Sequence, residues 1–419
     1  MLKDPDFKDI FCCIRCGACL NVCSAFRLVG GHVYGGSVYT GGIGTLLTAF
    51  LVHDKNRAEN IQNLCLQCKK CDEVCAGKLD IAGMILKLRT RYAQKDGLNP
   101  IHKFALDTVS DRRLFHSMLR IASLAQGELV KGQPMIRHMP MFLSNMTAGR
   151  SLPSVAPAPF RDILPTIKQE VENPKGTIAI FTGCLLDFVY VDIAKAVVKG
   201  LNMCGYLVEM PEEQSCCGAP AIYMGDTENA KKNVIYNLDA LVSDKYDYIV
   251  SACPTCTHAL HDYKEWFKDD PEQLKKAEII AAKTYDFSKL VHMLGGMPGE
   301  GDGVPVKITY HDSCHMRRTM GVWKEQRELL ANTKGVEIVE MNECDSCCGF
   351  SGSYSIKYPE ISGPILENKI NNILATGADV VAVDCPGCLL QIRGGLDARN
   401  SDIQVKHTAQ ILVEKREGK

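Results

Sequence analysis

From about residue 176 the chain alternates short apolar runs with longer stretches that carry apolar residues at helical spacing. TIAIFTGC (177–184), GYLVEM (205–210) and YDYIVSACPTC (246–256) read as strands, with NAKKNVIYNLDALVSD (229–244) between the last two reading as a helix. The same order returns as VKITYHDSC (306–314), GVEIVEM (335–341), PILENKINNILATG (364–377) and ADVVAVDCPGC (378–388). Strands alternating with helices predict a parallel or mostly parallel sheet in each half, so the unit is duplicated. Upstream, IAGMILKLRTRYAQ (81–94) predicts an amphipathic helix, and helical pattern continues to about residue 125. Residues 132–175 hold seven of the eighteen prolines and little periodicity, which predicts a linker or an irregular wrapping segment.

The expected division is therefore an α+β domain with helices (1–125), a proline-rich linker (126–175) and two α/β, Rossmann-like units (176–300 and 301–419). A chain of 419 residues has room for cores of that number. Lys and Arg (48) balance Asp and Glu (49), so no basic footprint for nucleic acid exists. The start, MLKDPDFKDIFCC, lacks the apolar core of a signal peptide, and no apolar run reaches the length of a membrane span. A cytoplasmic protein is expected.

Composition changes the picture at one residue type: there are 21 cysteines. A chain with core enough does not need disulfides, so clustered cysteines in a reducing compartment point to metal binding or redox work. Residues 13–23 (CIRCGACLNVC) and 65–75 (CLQCKKCDEVC) each show C-x2-C-x2-C-x3-C, the spacing of a two-cluster ferredoxin, in which each fourth cysteine serves the other cluster. That assigns one 4Fe–4S cubane to Cys13, Cys16, Cys19 and Cys75, and a second to Cys65, Cys68, Cys71 and Cys23. Structural zinc sites use paired C-x2-C sequences instead, so a zinc-stapled scaffold is disfavoured. Ser24 and Ala76 stand where such runs usually place proline. The glycine-rich stretch GGHVYGGSVYTGGIG (30–44) is expected to be a compact loop packed against the clusters, and no nucleotide-binding fingerprint is present.

In the duplicated part the cysteines repeat too. Cys184, Cys216, Cys217, Cys253 and Cys256 match Cys314, Cys347, Cys348, Cys385 and Cys388 at offsets of 130, 131, 131, 132 and 132. Each follows a strand end or lies in the loop after it, where open α/β sheets bind ligands. The glycine after each Cys-Cys pair lets the backbone bend tightly. A disulfide between neighbouring cysteines is strained and rare, which leaves a five-thiolate site in each half as the favoured reading. Cys12, Cys204 and Cys344 fall outside both patterns.

The pattern Cys-x31-Cys-Cys-x35-Cys-x2-Cys, repeated with spacers of 32 and 36, resembles the cysteine-rich CCG domain. That domain occurs in heterodisulfide reductases, in the iron–sulfur subunits of glycolate oxidase and anaerobic glycerol-3-phosphate dehydrogenase, and in lactate-utilisation proteins. ITYHDSCHMRR (308–318), CCGFSGSYSIKYPEIS (347–362) and ATGADVVAVDCPGCL (375–389) look closest to the lactate-utilisation group. The 30–44 stretch is similar to that group's companion iron–sulfur protein, without the companion's large amino-terminal domain. The fused order is similar to the glycolate oxidase subunit and to a heterodisulfide reductase catalytic subunit. The resemblance implies one or two further 4Fe–4S clusters, cubane or non-cubane. It also implies an electron-transfer subunit serving a flavoprotein that oxidises a 2-hydroxy acid, with a further electron carrier or a membrane quinone-linked subunit as acceptor. The alternative it implies is reduction of a disulfide or quinone-type acceptor at the CCG sites themselves. Flavin or NAD in this chain is not expected. Lys69 and Lys70, inside the second run, are expected to raise a cluster potential, to meet an acidic partner, or simply to be solvated. His311 and His315, straddling Cys314, are candidates for donation to a cluster sulfur or for proton delivery, and His258 is a weaker one.

Overall fold

The computed structural model describes residues 3–30, 40–51, 61–126, 135–137, 139, 144, 146–147 and 149–418. Most of the 30–44 stretch and part of the proline-rich segment lie outside these residues.

Each half of the duplication is a four-stranded parallel sheet. The first contains β1 (Thr177–Ile180), β2 (Leu207–Glu209), β3 (Tyr248–Ser251) and β4 (Thr284–Asp286), in the order β2-β1-β3-β4. The second contains β5 (Val306–His311), β6 (Val336–Ile338), β7 (Val380–Val383) and β8 (Gln404–Lys406), in the matching order β6-β5-β7-β8. All pairings in both sheets are parallel, with register such as Ile178↔Tyr248 and Ile308↔Val380. Helices on the faces bury β3 and β7 almost completely, which is why IVS and VVAV read as continuous apolar runs.

The apolar pattern predicts three strands per half. Thr284–Asp286 and Gln404–Lys406 are three-residue edge strands with no apolar run, and they form because the crossover helix after β3 or β7 returns the chain beside it. The order reverses at β1 and at β5, since the chain leaves each to one side and later returns on the other. That topology opens a crevice at the carboxyl ends of β1 and β3, and of β5 and β7.

A single apolar core runs through both halves, from Ile178, Val250 and Phe287 to Ile308, Val381 and Leu412. A buried polar contact joins the halves as well: the Ser288 hydroxyl donates to Asp384 Oδ2 at 2.9 Å, an oxygen that also accepts from Tyr310 OH of the second half at 3.0 Å. The described part of the proline-rich segment wraps rather than links. Phe160 is buried in the first half, while Ser151 N donates to the Gly394 carbonyl of the second at 3.0 Å.

The amino-terminal region has its own small core of Phe7, Ile10, Leu46, Ile81 and Ile85 around Cys19 and Cys71. The helix expected near 81–94 spans Ile81–Asp96, capped by Asp80, whose carboxylate accepts from Gly83 N. The helical pattern continues as Pro100–Ser110 and Arg112–Ala125, as expected.

Candidate metal centres

The two cysteine runs fold alike. Arg15 and Gln67 take left-handed backbone (φ 58° and 56°), as do Gly17 and Lys69 (φ 74° and 56°), at the same places in each run. These turns aim amides inward: Arg15 N donates to Cys13 Sγ and Gln67 N to Cys65 Sγ, both at 3.4 Å. A cleft of about 360 Å³ of empty space is lined by Cys13, Cys16 and Cys19 together with Cys75, with Cys12 also at its edge. A second of about 580 Å³ is lined by Cys65, Cys68 and Cys71 together with Cys23. The fourth cysteine of each run has thus crossed to the other run's loop. The described end of the glycine stretch packs here: a Cβ on Gly42 would lie 2.8 Å from Cys19 Sγ, and one on Gly41 3.1 Å from Cys23 Sγ.

In the duplicated part, the strand ends deliver ten thiols into one row. Cys184 meets Cys216, which meets Cys217; Cys217 meets Cys256, and Cys256 meets Cys253. On the other side Cys314 meets Cys347, which meets Cys348; Cys348 meets Cys388, and Cys388 meets Cys385. Cys253 and Cys385 touch, so the two five-cysteine groups abut. No spacing in the sequence announces this junction. The glycines after the pairs are left-handed, Gly218 at φ 85° and Gly349 at φ 86°. Cys204 and Cys344 stand apart, beside Gly296 O and Asp312 respectively.

The row also reaches the ferredoxin-like region. Cys68 and Cys314 face each other closely enough to oppose one another's ionisation, and both pack against Leu64, Leu66 and Tyr354. Arg318, which no sequence motif marks, stands near enough for its charge to act on both thiols, with its side chain 2% exposed. It donates to Glu73 Oε2 at 2.7 Å and Asp345 Oδ2 at 2.5 Å. Arg89 holds the same region to the first half, donating to the carbonyls of Gln62, Cys65 and Tyr223 at 2.7, 2.9 and 2.6 Å. Lys70 binds Asp345 Oδ1 at 3.2 Å, so the acidic group it meets belongs to this chain; Lys69 lies 3.9 Å from Asp80. Lone arginines carry no sequence signal, which is why both were missed.

The electrostatics suit a cationic group. Burial pushes the thiols of Cys65 and Cys68 up to about 12, and that of Cys71 up as well. Within the row, hydrogen bonds from neighbouring thiols pull three cysteines down: Cys217 to about 6 beside Cys216, Cys348 to about 5 beside Cys347, and Cys385 beside Cys253. So many buried sulfurs cannot ionise together without compensating positive charge, which bound iron would supply. Buried cations stand around the second group, with Lys369 and Arg150 near Cys348 and Arg318 near Cys314.

The histidines separate. His315 sits where the halves meet, its Nδ1 2.9 Å from Thr255 Oγ1 and its Nε2 3.3 Å from Tyr223 OH, with the His258 ring 5.6 Å away. Burial lowers it to about 4. His258 lies 3.3 Å from Asp262 and is lowered to about 3 by burial. His311 ends β5, is fully buried and is lowered to about 3 by burial.

Comparison with known proteins agrees with this architecture. The "Cysteine-rich domain" family, CCG, matches residues 178–261 and 308–393, and the "4Fe-4S dicluster domain" family matches 9–79. Lactate utilization protein A of Shouchella clausii is 38% identical over 239 residues, 57% of this chain and 99% of that protein. Lactate utilization protein A 1 of Bacillus cereus is 36% identical over 236 residues, 56% of this chain and 98% of that protein. A crystal structure of a hypothetical protein from Helicobacter pylori aligns with 94% of this chain and 72% of its own at TM-score 0.48 and 11% identity. Among the described residues no helix is long and apolar enough to cross a membrane. With its two CCG units and a 4Fe–4S dicluster domain before them, the chain belongs to the lactate utilization protein A family of iron–sulfur proteins.

Proposed function

We propose that this chain is the electron-transfer subunit of a flavin-dependent 2-hydroxy-acid dehydrogenase complex of the lactate or glycolate type. The observation that carries the reading is the continuity of the thiols. They run from the Cys13, Cys16, Cys19 and Cys75 cleft through the Cys65, Cys68, Cys71 and Cys23 cleft, across Cys68 and Cys314, to the abutting CCG groups. The first two sets hold one cubane each. Cys184, Cys216, Cys217, Cys253 and Cys256 hold a third 4Fe–4S cluster, and Cys314, Cys347, Cys348, Cys385 and Cys388 a fourth. Bound there, these groups supply one-electron oxidation and reduction.

The chain's own residues hold the thiols in place, exclude water from the row and set its charge, Arg318 and Lys369 foremost. Hydride removal from a hydroxy acid requires a cofactor for which this sequence carries no fingerprint, so a flavoprotein partner supplies it. An acceptor, either a further carrier or a membrane quinone-linked subunit, takes the electrons and gives the protein a membrane-peripheral place through its partners. The four-part division at residues 125, 175 and 300 belongs to the same reading.

A second reading has its own observation. The Cys253–Cys385 contact lies close to His315 with its Tyr223 and Thr255 partners, a meeting of redox-capable sulfur and polar groups at which a disulfide or quinone-type acceptor can be reduced.

Purification from the native host tests the main reading. The expected result is a stable complex with a flavoprotein and reduction of the iron–sulfur absorption by a 2-hydroxy acid. Disulfide reductase activity from the isolated, dye-reduced chain would move the function to the second reading, and stoichiometric zinc without iron would end both. The crossed ligand sets are tested by Cys23→Ser, which should perturb the cluster of the second run and spare that of the first, with Cys75→Ser doing the reverse. Low-temperature EPR reads the difference.

A further inference from the structure

The two CCG halves repeat their cysteines faithfully, but not what stands next to them. At the repeat's offset of 130, His311 of the second half matches Phe181 of the first, and both are fully buried at the end of the sheet's first strand. At the offset of 132, Lys369 matches Asn237. Asn237 is saturated, accepting from Ser215 N at 2.8 Å and donating to Cys216 O at 2.9 Å and Tyr263 OH at 2.8 Å. Lys369 donates to the Glu343 and Cys344 carbonyls at 2.5 and 3.3 Å.

His311 is different in kind. Neither ring nitrogen makes a hydrogen bond of ordinary geometry, although the ring is wholly buried. The Cys344 backbone lies within weak hydrogen-bonding reach of the ring, which leaves at least one buried nitrogen open to a further partner. One ring nitrogen and the sulfurs of Cys348 and Cys388 lie within 4.8 Å of one another. Metal–nitrogen bonds near 2.0–2.1 Å and metal–sulfur bonds near 2.3 Å span a triangle of that size. The imidazole is also held in place from behind. The next residue, Asp312, accepts from Arg317 Nη1 and Arg327 Nη1, each at 2.8 Å, which fixes the turn from β5 to Cys314.

We propose that His311 is an iron ligand of the second CCG centre, beside Cys348 and Cys388, and that the first centre, with Phe181 in that place, is bound by thiolates alone. The inference rests on the iron–sulfur reading of the CCG sites given above. Its consequence is electronic. The second centre then carries the same five thiolates as the first and one neutral nitrogen donor more, so the electron density on its irons differs from that in the first half. The two halves are then unequal in ligation.

The test uses the full iron-loaded chain, partly reduced and examined by pulsed EPR with and without 15N-histidine. The expected result is strong nitrogen coupling on a cluster signal that changes isotope pattern with labelled histidine. His311→Phe, which copies the first half, should abolish it, and His315→Ala should leave it in place. Cluster signals without imidazole coupling, or coupling that survives His311→Phe, would overturn this inference alone. A chain that binds no iron would overturn it together with the cluster reading. Should His311→Phe fail to retain iron, the labelled wild-type spectrum decides the matter, with His311→Gln as the milder variant.

Discussion

Arg318 offers the sharpest test of how the ferredoxin-like region and the CCG units work together. Its guanidinium is buried, its charge acts on Cys68 and Cys314, and it is held by Glu73 and Asp345. Burial works against its charge, and the two thiols and the carboxylates favour it. Arg318→Met keeps most of the volume and removes the charge. Unit charges roughly 5–10 Å apart at an effective dielectric of about 20 interact by about 2–3 kcal/mol, equivalent to about 70–140 mV for one electron. Glu73 and Asp345 offset part of this, and Lys70 remains beside Asp345 at 3.2 Å. The expected outcome is a fall of tens of mV, up to about 100 mV, in the midpoints of the clusters at Cys65/Cys68/Cys71/Cys23 and at the second CCG site. Because a positive charge is lost, the direction is towards lower potential. The cluster at Cys13, Cys16, Cys19 and Cys75 should move much less. An EPR-monitored redox titration of wild type and variant at equal iron content reads all of these. Unchanged midpoints, or an equal shift at the remote cluster, would refute the reading that the Arg318 charge acts on two redox centres.

Two further outcomes concern folding. Gly349→Ala should destabilise more than Gly218→Ala: both positions are left-handed, at about 1–2 kcal/mol for an L-residue, but only at Gly349 does a Cβ come within 2.8 Å of a carbonyl, that of Ser362. Urea midpoints of the iron-loaded variants rank them, and equal midpoints would contradict the contact. His116 packs against Phe188 with ring centroids 5.1 Å apart, and burial followed by the Arg161 charge lowers it to about 4. The unfolded chain, with an ordinary value near 6.5, takes up the proton first, so this contribution is complete above about pH 6.5 and is lost as pH falls towards 4. His116→Leu should therefore lose less stability than wild type between pH 7 and pH 5, and parallel losses would show that burial does not hold the ring neutral.

Periodicity and spacing alone determined much of this protein. Apolar runs such as VVAV and their helical partners defined a duplicated α/β unit, because a strand buried on both faces has to be apolar throughout. The ferredoxin runs and both five-cysteine sets were legible because local loops fix residue type at fixed spacing. The edge strands Thr284–Asp286 and Gln404–Lys406 were not, since three residues carry no period and their pairing comes from the crossover. Only the tertiary structure set Cys253 against Cys385 and Cys68 opposite Cys314, which are separated by more than a hundred residues and joined by sheet packing. It alone placed Arg318 and Arg89 at the seams, because a single buried cation is defined by what surrounds it. His311 shows both sides of this division. Its place beside Cys314 could be read from the sequence, but the want of an ordinary hydrogen bond at its ring nitrogens arises only once β5 is buried against the loops of Cys348 and Cys388.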